Sequence, residues 1–163
     1  MCDDCGCGLY APPGTPRRAP PAPKADHDTV VAIRESLYRA NDEVAAQNRA
    51  QFRQHGVLAI NLMSSPGAGK TYLLEILIPL LANHGLRCAV IVGDLETDND
   101  ARRIQRTGAT TIQITTGQAC HLDAAMIADA LVPLDLAELD ILFIENVGNL
   151  VCPASFDLGE SLR

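Results

Sequence analysis

No apolar run in this chain approaches the length of a membrane span, and its first residues lack the charged-then-apolar profile of a secretory leader. A membrane span is therefore not expected, and the location read from the chain is cytoplasmic. Positive charge is scarce. Thirteen Lys and Arg stand against twenty Asp and Glu, and the net charge of −7 argues against nucleic acid as a general partner. Tryptophan is absent and aromatic residues make up only 4%, which bears little on function. What is present is core material: 47% hydrophobic residues in a chain of 163, enough for one domain. Six cysteines in a reducing compartment read as metal ligands or buried thiols rather than disulfides.

One stretch organises the rest. Val57 to Met63 is an apolar run of strand length, Ser64-Ser65-Pro66-Gly67-Ala68-Gly69-Lys70-Thr71 is a Gly-containing turn, and a helical pattern starts at Tyr72-Leu73-Leu74. Strand, Gly-rich turn and helix is the context of a phosphate-binding loop. Small residues let backbone N–H groups close on an anion, and the helix aims its positive end at the same point. In such a loop Ser65 to Tyr72 border the phosphates, Lys70 reaches the β- and γ-phosphates and the Thr71 hydroxyl holds Mg²⁺. The usual first Gly is Ser64 here, so the pattern rests on Gly69, Lys70 and Thr71. The reading is a nucleoside triphosphate site.

Before this loop come three unlike segments. Residues 1–8, Met-Cys-Asp-Asp-Cys-Gly-Cys-Gly, place Cys2, Cys5 and Cys7 within reach of one soft ion such as Ni²⁺, Zn²⁺ or Cu⁺, the alternative being a tail with idle thiols. Residues 9–27 are Pro-rich and read as an extended, disordered tether. Residues 28–163 form the folded part, beginning with a helix over 28–55 whose apolar line is Ile33, Leu37, Ala40 and Val44. After the loop, strands at Arg87–Val92, Thr110–Thr115 and Asp140–Ile144 alternate with helical patterns at about 98–107 and 122–132. This alternation predicts an α/β domain with a mostly parallel sheet.

Ligands of such sheets gather at the carboxyl ends of the strands. Four loops should therefore share one edge: the phosphate loop, Gly93 to Asp100, Thr116 to His121, and Glu145 to Cys152. Asp94, Asp100 and Glu145 then fall near the Mg²⁺ and γ-phosphate position. Glu145-Asn146-Val147-Gly148 occupies the place of an Asp-x-x-Gly switch, with Gly148 offering its N–H to the γ-phosphate. Cys120, His121 and Cys152 reach the same edge as two thiolates and an imidazole, one ligand short of a closed tetrahedral site. A buried thiol beside a loop histidine is the plainer alternative.

Taken with the Cys2-x-x-Cys5-Gly-Cys7 start, Asp94 to Asp100, Cys120-His121-Leu122-Asp123-Ala124 and Glu145 to Pro153, the sequence resembles the hydrogenase nickel-incorporation GTPases, the HypB-type metallochaperones. The resemblance implies a SIMIBI-like P-loop fold, GTP hydrolysis with Mg²⁺, and a nucleotide-modulated homodimer. It also implies Ni²⁺ at Cys2, Cys5 and Cys7, and Ni²⁺ or Zn²⁺ at Cys120, His121 and Cys152. The implied partners are a HypA-type nickel protein and the hydrogenase large-subunit precursor. Three departures stand out. Gln118-Ala119 replaces an expected Lys-Gly, and Tyr72 replaces a second Thr. The Asn-Lys-x-Asp motif that reads guanine is absent, so the chain is expected to be the front part of a longer protein, lacking its C-terminal strands, with 153–163 a loop and a stub. Two other readings compete: a P-loop ATPase or kinase, and a non-enzymatic metal-binding and dimerisation fragment.

Overall fold

A computed structural model describes residues 27–94, 98–117 and 119–163; Cys2, Cys5, Cys7 and the Pro-rich segment lie outside them. Helix α1 (His27–His55) leads into strand β1 (Leu58–Leu62), and α2 (Lys70–Asn83) into β2 (Cys88–Asp94). Then follow α3 (Asn99–Gln105), β3 (Thr110–Thr115), α4 (Ala124–Leu131) and β4 (Ile141–Glu145), with short 3₁₀ turns at Leu136–Glu138 and Pro153–Ser155.

The four strands form one parallel sheet in the order β1-β4-β2-β3. All five residues of β4 are buried, as a central strand requires, and its sequence Ile-Leu-Phe-Ile-Glu is apolar until the last position. Side chains alternate across the pleat. Ala89, Ile91, Leu142 and Ile144 face a core shared with α1 and α4, including Phe52 and Leu122. Val90, Val92, Ile141 and Phe143 face the opposite core, with Leu74 and Ile78 of α2 and Ile104 of α3. Because β4 lies between β1 and β2, the carboxyl ends Leu62, Glu145 and Asp94 come side by side.

Helix α1 differs from the sequence expectation in which face it packs. Ile33 and Leu37 are 53% and 63% exposed, while Ala45, Asn48 and Phe52 are buried and Asn41 is half-buried. The inner face is chosen by amides: Asn48 Nδ2 donates to the carbonyls of Ala124 and Leu158 at 2.9 and 3.1 Å, and Asn41 Oδ1 accepts from Ala124 N at 2.9 Å. Residues 153–163 are also more than a loop and a stub. Asp157 pairs with Arg49, and Ser161 N and Asn61 N bond across to Ala59 O and Leu162 O, so Leu162 bridges to Ile60 in parallel beside β1. Among the described residues no helix is long and apolar enough to cross a membrane.

Candidate nucleotide site and thiol cluster

The loop between β1 and α2 is set by two glycines. Gly67 and Gly69 have φ of 72° and 92°, left-handed values that favour glycine, and Gly69 caps α2 without any side-chain acceptor. The first turn of this 14-residue helix contains no acidic residue, so its free N–H groups and positive end face the loop unopposed. Lys70 Nζ folds back over the loop, 3.4 Å from Ser64 Oγ. Thr71 is buried, and its hydroxyl donates to Glu145 Oε1 at 2.7 Å.

Glu145 is the unusual group. Its residue is 3% exposed, its Oε2 has no hydrogen-bond partner among the described residues, and burial pushes its carboxyl pKa up. Nearby Asp100 adds to that rise, while the Thr71 hydroxyl, Lys70 and Arg103 oppose it. A buried, half-satisfied carboxylate beside a Thr hydroxyl has the donor chemistry of a Mg²⁺ site: hard oxygen ligands with one lone-pair set left over. The residues present therefore fit that ion.

Pro66, Gly67, Gly69, Lys70, Thr71, Tyr72, Asp94, Asp100, Glu145 and Gly148 all line one cavity of about 370 Å³, with Arg103 and Asn146. Ser65 and Ala68 lie in the loop, bonded to each other through the backbone at 3.3 Å, and do not line it. Gly148 lies directly over the loop. A Cβ there would stand 3.0 Å from Pro66 Cα, so a side chain would push the 145–148 segment back from the loop by a few tenths of an ångström. A larger cavity of about 570 Å³ opens at the amino-terminal edge of the sheet, around Leu86, Cys88 and Thr110. It lies at the opposite edge from the phosphate loop, and the carboxyl edge is where such sheets take ligands.

The second cluster adjoins the first. The neighbouring Cys152, with burial second, raises the Cys120 thiol pKa above the ordinary value. The His121 Nδ1 lies 3.9 Å from Cys120 Sγ, and its ring stacks on Phe156 at a centroid distance of 3.9 Å. Two thiols and an imidazole are thus neighbours. Among the described residues, however, no three His, Cys, Asp or Glu side chains converge on a common ion position. Gln118 lies outside the described residues.

Sequence reasoning passed over several groups here. Asn146 is buried: its Oδ1 accepts from Leu122 N at 3.2 Å and Val147 N at 3.0 Å, and its Nδ2 donates to Asn61 Oδ1 at 3.3 Å. Asn149 Nδ2 reaches Cys120 O at 3.4 Å. Arg103 carries the only signal that was visible beforehand, an i,i+3 spacing from Asp100 on one helix face.

A parallel sheet, a glycine loop opening a helix, and a Thr–carboxylate pair at the next strand's end define a P-loop nucleotide-binding domain. Residues 58–160 match the model of the CobW/HypB/UreG nucleotide-binding domain, and the chain belongs to that family. Among curated proteins it is 51% identical over 140 residues to the hydrogenase maturation factor HypB of Azotobacter vinelandii, covering 86% of this chain and 46% of that protein. To HypB of Escherichia coli K12 it is 51% identical over 139 residues, covering 85% and 48%. The chain thus spans about half the length of these curated relatives. Among solved structures, HypB from Helicobacter pylori in complex with nickel superimposes with a TM-score of 0.69 at 44% identity, covering 75% of this chain and 57% of the other. HypB from Archaeoglobus fulgidus gives 0.68 at 41%, covering 76% and 59%.

Proposed function

We propose that this chain binds and hydrolyses GTP and couples that cycle to nickel delivery during hydrogenase maturation. The observation that carries the nucleotide half is Glu145, whose buried and half-satisfied carboxylate stands beside Thr71 at the mouth of a phosphate-sized cavity. The loop N–H groups from Gly67 to Thr71 would receive the β-phosphate, and Lys70 would neutralise the β- and γ-oxygens. Thr71 and Glu145 would hold Mg²⁺, with Asp94 and Asp100 on the same wall, and the bound ion would supply charge between the phosphates. Gly148 would give its N–H to the γ-phosphate and lose that contact on hydrolysis. Guanine as the base is what the resemblance to the HypB-type GTPases implies.

Nickel enters this reading as cargo. Its supports are the paired thiols of Cys120 and Cys152 beside His121, and a relative solved with nickel. Soft thiolates suit Ni²⁺ or Zn²⁺, and a second copy of the chain in a homodimer would complete the ligand set. Cys2, Cys5 and Cys7 would hold a separate Ni²⁺ equivalent. A HypA-type nickel protein and the hydrogenase large-subunit precursor are the partners this reading requires.

The experiment is GTP and ATP turnover by the parent and by Lys70→Ala. Loss of GTP hydrolysis in the variant is expected, because phosphoryl transfer rests on positioning and charge. Normal turnover in the variant would remove the phosphate-loop assignment.

A further inference from the structure

Arg103 lines the nucleotide cavity from α3, and no role assigned above uses it. Its Nε and Nη2 donate to Glu75 Oε1 and Oε2 at 2.9 and 2.6 Å, a two-pronged pair that fixes the guanidinium plane against α2. The third nitrogen is engaged differently. Nη1 reaches Asp100 Oδ1 at 3.4 Å, long for a bond between charged groups. The side chain is 40% exposed and lines the nucleotide cavity.

The charge balance of the cavity gives that nitrogen a use. Asp94, Asp100 and Glu145 line it with three carboxylates, and Lys70 and Arg103 are its two cations. Without Arg103, one lysine and one divalent ion would have to offset those carboxylates and a triphosphate together. A guanidinium held in plane by two bonds at the wall of the cavity is pre-organised for a tetrahedral oxyanion.

We propose that Arg103 is a phosphate-contacting residue of this site, oriented by Glu75, with Nη1 exchanging its long contact to Asp100 for the terminal phosphate of a nucleoside triphosphate. The inference rests on the nucleotide-binding reading and adds to it a second protein cation that distinguishes triphosphate from diphosphate.

The test compares Arg103→Gln, Arg103→Lys and Glu75→Gln in the full chain, with Lys70→Ala as control. Two quantities are read: melting temperature, and the ratio of affinities for a non-hydrolysable GTP analogue and GDP. Arg103→Gln is expected to lower that ratio roughly 10- to 150-fold, the worth of one charge-assisted hydrogen bond. Arg103→Lys should retain part of it. Glu75→Gln weakens the bond pair that orients the guanidinium and should lower the melting temperature as Arg103→Gln does, with a clearly smaller fall in the ratio, because the cation itself remains. An unchanged ratio in Arg103→Gln, or an equal loss in Glu75→Gln, would reduce Arg103 to a tie between two helices. If Lys70→Ala binds nucleotide as the parent does, or the parent binds none, the nucleotide reading itself fails and this inference falls with it.

Discussion

Glu145 keeps one oxygen on the Thr71 hydroxyl and the other buried with no partner among the described residues, an arrangement that costs stability in the absence of a cation. Burial, and behind it the Asp100 charge, raise its pKa above the unfolded carboxyl value of 4.5. The sign of the linkage follows. Between the unfolded and folded pKa values the folded chain binds more protons than the unfolded one, so this group's contribution to stability falls as pH rises through that window and stays low above it. Glu145→Gln keeps an acceptor for Thr71 and removes the charge. The nucleotide-free variant should be more stable than the parent at pH 7, by about 0.5–2 kcal/mol, with the gap closing toward pH 4.5. Its hydrolysis should be lost. Thermal melts at the two pH values, beside a turnover assay, check both halves. A variant less stable than its parent at neutral pH would mean that the carboxylate is satisfied where it stands.

The elements divide by how local their causes are. Four strands and all four α-helices were legible because each is an apolar run or a helical period bounded by Gly or a capping residue, as with Asp123, whose side chain accepts from Met126 N at 2.8 Å to start α4. The packed face of α1 was not legible. Asn41 and Asn48 sit inside because their amides satisfy backbone groups of residues 76 to 116 positions away, and periodicity counts them as polar and outward. The same holds for residues 157–163. Gly159 has φ of 91°, and a Cβ on it would lie 2.5 Å from Ala45 O and 2.8 Å from Arg49 N, which lets that segment lie flat on α1. Gly159→Ala should therefore destabilise the fold by about 1–3 kcal/mol from backbone strain alone, and by more where the methyl meets the helix. Denaturant titration would read this as a lower midpoint. An unchanged midpoint would show that the segment is not bound to α1 in solution. In the candidate site, topology placed the four loops on one edge, whereas the Arg103–Glu75 pair and the Asn146 bonds join elements that no local pattern relates.

Across the whole molecule the two clusters are joined by a single segment, residues 145–152. Gly148, against Pro66 of the phosphate loop, lies four residues before Cys152, and the segment between them holds Asn149, bonded to Cys120 O. Asn146 ties the start of that segment to Leu122 N, directly after His121. If the 145–152 segment follows the γ-phosphate, Cys152 and Cys120 cannot keep one mutual geometry in both nucleotide states. Metal affinity at Cys120, His121 and Cys152 should then differ between GTP and GDP, and metal must change the preference for GTP over GDP by the same factor. A coupling on the order of 1–3 kcal/mol, or roughly 5- to 150-fold, is expected. Because the ligand is the thiolate and Cys152 raises the Cys120 pKa, binding should also release a proton, and affinity should rise with pH. The measurement is a Ni²⁺ titration of a chain with Cys2, Cys5 and Cys7 changed to Ala, first with GDP and then with a non-hydrolysable GTP analogue. That triple change should itself remove one equivalent of nickel and leave GTP turnover near the parent value. Identical isotherms in the two nucleotide states would leave a thiol cluster and a nucleotide site that merely adjoin. Asn146→Ala supplies the internal check: it cuts the bond to Leu122 N and should shrink the difference between the two isotherms without abolishing binding in either state.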